Sequence, residues 1–155
     1  MKNLSIFEGK KIRKIWYKDE WWFVLEDIVL ALTDSADPKQ YIQKIKQRDE
    51  QLAEGWVQIV HPLSLKTVGG KQLVNCANKQ GIFRIIQYIF SKKAEPFKLW
   101  LAKVGSERIN EIDDPELSIN RAMKTYLAKG YSEKWINQRL KTIEVRTPQA
   151  YPETF

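Results

Sequence analysis

Apolar positions recur at helical spacing between residues 81 and 104, GIFRIIQYIFSKKAEPFKLWLAKV. Ile82, Ile85, Ile86 and Ile89 fall at i, i+3, i+4 and i+7, one face of a helix, and Phe83 and Phe90 widen the stripe. Ser91, Lys92 and Lys93 interrupt it. Pro96 suits the first turn of a second helix, where no backbone N–H is needed. Phe97, Trp100, Leu101 and Val104 give that second helix its own apolar face. Upstream, strand and helix patterns alternate. Residues 10–17 and 21–24 read as two strands around a turn at Lys18, Asp19 and Glu20, because aromatic and β-branched side chains dominate both. LEDIVLAL, residues 25–32, reads as a short apolar helix. Asp37 before Pro38 marks the next helix start, an N-cap carboxylate followed by proline, with Tyr41, Ile42, Ile45 and Leu52 as the buried face. WVQIV, residues 56–60, is a strand candidate that His61 and Pro62 end. In KTVGGKQLVN, Gly69 and Gly70 between two β-prone runs predict a tight hairpin.

The pattern changes at EIDDP, residues 111–115, beyond which only helical spacing remains. Asp114, Pro115 and Glu116 start a helix with Ile119, Ala122, Met123, Tyr126 and Leu127 on one face, and Gly130 fits its C-terminal stop. Ser132 can cap a second helix carrying Trp135, Ile136, Leu140 and Ile143. TPQAYPETF, residues 147–155, has two prolines and no periodicity and is expected to be a disordered tail. The expected architecture is α+β: a small antiparallel sheet with hairpins, packed on several helices, plus a C-terminal helical hairpin. The expected division is a basic α+β domain over 1–110, the helical hairpin over 111–146, and the tail.

Charge sharpens this picture. The 155 residues carry a net charge of +7. Residues 1–110 hold 19 Lys and Arg against 12 Asp and Glu, whereas residues 111–155 hold 7 of each, so the whole excess lies in the first part. A basic domain of this kind suits nucleic acid or an acidic partner. Lys66 and Lys71 flank the hairpin tip, and a basic hairpin can lie along a DNA groove. Lys44 and Arg48 lie four apart on one helical ridge, and Lys92, Lys93 and Lys98 surround the junction of the helix pair. These seven cations are the candidate phosphate contacts. Two helices joined by a short glycine turn invite a helix-turn-helix reading of the C-terminal segment. That segment is electrically neutral, so packing or dimerisation is the expected role.

Catalytic chemistry has little to build on. His61 is the only histidine, and Cys76 the only cysteine, so neither a histidine pair for a metal nor an intramolecular disulfide can form. There is no phosphate-binding glycine loop. Acidic pairs such as Glu26-Asp27 and Asp113-Asp114 sit at helix starts, where the dipole favours carboxylates. The expectation is a non-enzymatic protein with no cofactor and no metal. A single cysteine, no apolar leader and no run approaching the ~20 apolar residues of a membrane span suggest a reducing cytoplasm.

The order of a strand hairpin, WWFVLEDIVLAL, a charged helix, a β segment, GIFRIIQ and SKKAEPFKLWL resembles the Bro-N domain. That domain is the N-terminal module of baculovirus repeated-ORF proteins and prophage antirepressors. KKAEPFKLWLAKVGSERI and DPELSINRAMKTYLAKGYSEKWINQRLK look most like the bacterial DNA-damage-inducible protein D family, over roughly residues 5–146. The resemblance is one of order and apolar spacing. It implies a DNA-binding or phage-regulatory α+β domain without a cofactor. Two functions follow as expectations. One is a DNA-binding regulator of phage or DNA-damage-response type. The other is an antirepressor-like module that binds a repressor or recombination protein through an apolar surface, with a second copy of the chain as a further candidate partner.

Overall fold

Residues 11–146 are described by a computed structural model in which local signals set most element ends. Strands β1 (Lys14–Tyr17) and β2 (Glu20–Val24) pair antiparallel around Lys18 and Asp19. Both turn residues have positive φ, 50° and 60°, as a two-residue turn matched to strand twist requires. Helix α1 (Leu25–Leu32) follows directly. The Asp37 side chain accepts from Gln40 N–H at 3.1 Å and Pro38 opens α2 (Pro38–Arg48).

Asp49 then ends α2 and caps a new helix, α3 (Glu50–Ile59), by accepting from Leu52 N–H at 2.8 Å. This corrects two expectations. Leu52 belongs to α3 rather than α2, and residues 56–60 are the end of a helix rather than a strand. The physical reason is the cap: once Asp49 starts a helix, Leu52 and Trp56 fall at i and i+4 and are buried, while Val57 faces outward, 77% exposed. Helical burial outweighs the β-propensity of five residues.

Strands β3 (His61–Thr67) and β4 (Gly70–Asn78) form the hairpin, with Thr67 opposite Gly70. Of the glycine pair only Gly70 takes a positive φ, 103°. The antiparallel sheet has the order β1-β2-β4-β3. Phe23 and Ala77 face one side of it and join the main core with α1, α2, α3 and the later helices. Trp22, Val24 and Cys76 face the other side and gather Ile15, Leu63, Leu65 and Val74 into a smaller cluster.

Asn78 accepts from Gly81 N–H at 2.9 Å and starts α4 (Lys79–Ile86). Ile82, Ile85, Ile86 and Ile89 are all fully buried, as their spacing predicts. Phe90 is not part of that stripe: the helix has already ended, and the ring is 72% exposed. Ser91 does more than interrupt the pattern. Its hydroxyl donates to the Leu32 carbonyl at the end of α1 and accepts from Ala94 N–H. Helix α5 (Glu95–Asp113) has Pro96 in its first turn and buries Phe97 completely. It runs past Val104 and through Gly105, because the following SERINEI includes good helix formers and no proline is met before Pro115.

The chain divides into two compact units, one up to Ala102 and the other from Lys103 onward. In the second unit, α6 (Glu116–Ala128) ends at Gly130, whose φ is 92°. Tyr131 N–H reaches the Tyr126 carbonyl and Gly130 N–H the Leu127 carbonyl, the paired bonds of a glycine-terminated helix. The Ser132 hydroxyl accepts from Trp135 N–H and starts α7 (Glu133–Arg146). Tyr126, Tyr131 and Trp135 pack as rings, Tyr131 and Trp135 stacked at 4.1 Å. Glu111 is buried and held by Arg121, with Arg108 at 3.9 Å. The expected strand residue Lys10 and the expected tail over 147–155 lie outside the described residues. Among those described, no helix is long and apolar enough to cross a membrane.

Candidate nucleic-acid interface

The seven candidate cations fall into three groups, all within the first unit. Lys44 and Arg48 are exposed, one turn apart, on α2. Lys66 and Lys71 are exposed and sit directly opposite each other at the hairpin tip. Because side chains alternate along a strand, both point to the face that carries Ala77 further along β4, which is the face the helices cover at the base of the sheet. Lys92, Lys93 and Lys98 lie at the α4–α5 junction.

These seven are not equivalent. Like charges directly opposite across a ladder repel, and neither Lys66 nor Lys71 has an acidic partner among the described residues. Lys93 Nζ already lies 2.6 Å from an Asp34 carboxylate oxygen. Lys98 is partly buried, with Nζ 4.3 Å above the Phe90 ring. Lys92 is exposed beside them. Within this set, Lys44, Arg48, Lys66, Lys71 and Lys92 present their charge most openly.

Two features escape the sequence pattern. One is a set of further cations over aromatic rings: Lys14 over Trp21 at 4.3 Å, Lys46 over Trp56 at 4.8 Å and Arg84 over Tyr88 at 4.9 Å. Basic residues interleaved with aromatics along the chain are the signal that could have pointed to them. The other is the pairing of Asp27 with Arg13. Arg13 gives Asp27 its backbone N–H, Nε and Nη2, all within 2.9 Å. The hydrogen bond to Asp27 raises the Arg13 pKa above its ordinary value. Asp27 is thus bound in a structural pair rather than simply sitting at a helix start.

Reactive groups are sparse around these cations. Burial pushes the Cys76 thiol up to about 11, so it is no thiolate nucleophile at neutral pH. His61 lies against the Trp22 ring, their centroids 4.9 Å apart. Among the described residues no three His, Cys, Asp or Glu side chains converge where a metal could sit.

No curated protein and no solved structure matches the chain. A family model does match, over residues 11–108, well over half the chain and a span that includes all seven candidate cations. With the sheet, the basic hairpin and the junction of the helix pair lying inside that span, the chain belongs to the BRO family and carries its N-terminal domain, Bro-N.

Proposed function

We propose that this chain is a non-enzymatic, DNA-binding regulator of phage type that grips phosphates through the cations of its first unit. The observation that carries the reading is the pair Lys66 and Lys71, opposite each other at an exposed tip. That arrangement costs stability when free and is relieved by an anion between them. The segregation of the entire +7 excess into residues 1–110 supports the same reading, since such a field draws polyanions. Phosphate contacts supply affinity and register but carry no sequence information directly. The finer kinship, with the DNA-damage-inducible protein D family, belongs to this proposal too and rests on the stretches 92–109 and 114–141.

The test is DNA binding by the purified full chain, followed by fluorescence anisotropy across a salt titration. Binding that weakens steeply with salt is expected. A second reading, an antirepressor-like module acting on a repressor or recombination protein, draws on exposed Ile109, Ile112, Ile119 and Leu127 in the second unit. Such binding would depend little on salt and would survive replacement of the tip lysines.

A further inference from the structure

A groove of about 870 Å³ opens in the first unit where the end of α3 meets the start of α4. It is of ordinary size for a ligand site. Gln58, Gln80, Gln87 and Arg84 line it. The three carboxamides are exposed and have no hydrogen-bond partner among the described residues. The wall around them is fixed. Asn78 spends its carbonyl oxygen on Gly81 N–H and its amide on Glu20, at 2.9 and 3.0 Å. A Cβ at Gly81 would come within 2.8 Å of Ile59 Cγ2, so α4 sits hard against the end of α3 and sets Gln58 relative to Gln80. Arg84 Cζ lies over the Tyr88 ring, 4.9 Å from its centroid, and Phe83 adds a half-buried ring packed on Phe97 and Trp100.

A carboxamide presents a donor and an acceptor side by side, which is the complement of a base edge, and a planar guanidinium fits guanine in the same way. Flat rings and guanidinium planes favour stacking by a base over the pleated backbone of a peptide. Shape decides the strandedness. Proteins read duplex DNA by inserting a projecting helix or ribbon into its grooves. A concave site does the reverse: it receives a base already out of the stack. We infer that this groove receives an unpaired nucleobase of single-stranded DNA, read by Gln58, Gln80, Gln87 and Arg84. The inference rests on the DNA-binding reading and adds base recognition to it, at a place distinct from the seven candidate cations.

The experiment uses the full chain and labelled single strands of dA, dC, dT and mixed dG-containing sequence, with a duplex as competitor. The parent should favour one base over another by about tenfold, the scale of a single bidentate contact. The Q58A/Q80A/Q87A variant should lose most of that preference while its salt slope stays that of the parent. The carboxamide ¹⁵N resonances of the three glutamines should shift on adding the preferred strand, a readout that does not depend on any variant folding. Unchanged preference in the variant, or unmoved glutamine resonances, overturns the inference and leaves the DNA-binding reading standing. So does a parent that binds strands without base preference or binds only duplex. Resonances that move with an extended peptide and not with any strand assign the groove to a protein ligand. A parent that binds no nucleic acid at low salt defeats both readings together.

Discussion

At Asp27 a single carboxylate ties the first helix to Arg13, the residue just before the first strand. It is nearly inaccessible and takes three hydrogen bonds from Arg13, whose side chain is 46% exposed. Removing one partner of a fully buried ion pair costs about 3–5 kcal/mol; because water can reach Arg13, Asp27→Ala should cost less, about 2–3 kcal/mol in urea unfolding. A loss below about 0.5 kcal/mol, the range of ordinary surface changes, would show that the pair contributes nothing. Cys76 gives a second residue-level prediction. Its thiol titrates near 11 in the folded chain, above the unfolded value, because burial disfavours the thiolate. Its contribution to stability is therefore complete below the unfolded pKa and is lost as pH rises toward 11. At pH 8 it should resist iodoacetamide in the folded protein and react promptly in denaturant. Prompt labelling of the folded chain would contradict its burial.

The elements divide by how local their causes are. Caps and turns were legible because each signal and its effect lie within a few residues: Asp37 with Pro38, Ser132, Gly130, and the hairpin at Gly70. The isoleucine stripe was legible because Ile82, Ile85 and Ile86 on α4, and Ile89 just beyond its end, are all buried as their spacing predicts. Residues 56–60 misled because their β-branched character is local whereas their burial is tertiary, decided by Leu52 and Trp56 on a helix that Asp49 starts. The contact at Gly81 was invisible for the same reason, since Ile59 is far away in sequence. Gly81→Ala forces that contact apart, with the Ile59 carbonyl only 3.2 Å from the added carbon. It should destabilise by about 1–3 kcal/mol, the usual cost of overpacking, and thermal melting would register it; an unchanged melting temperature would mean that α4 shifts freely on α3. In the second unit, Arg121 holds Glu111 below the usual carboxylate range. A lowered folded pKa means stability that is present above the unfolded value and lost as pH falls through the folded one. Acidification below pH 4 should therefore weaken this unit in the parent, and the acid sensitivity should shrink in Arg121→Ala.

Across the whole molecule, the proposed function rests on charge more than on reactive groups. The sign and location of the excess were readable by counting. Which lysines keep their charge available was not, because Asp34 is distant in sequence from Lys93, and Phe90 lies under Lys98 only once the helix junction has formed. Nor was the groove, whose glutamines come from two helices. The central claim is that Lys66, Lys71 and Lys92 neutralise phosphates. The measurement that tests it most directly is the slope of log K against log[salt] for DNA binding by the parent and by the K66A/K71A/K92A variant. For a single strand, each lost contact flattens the slope by about 0.7, so the variant should differ by roughly 2, with an unchanged melting temperature because exposed lysines contribute little to folding. A slope identical to the parent's, or a parent that fails to bind DNA at low salt, would contradict the account.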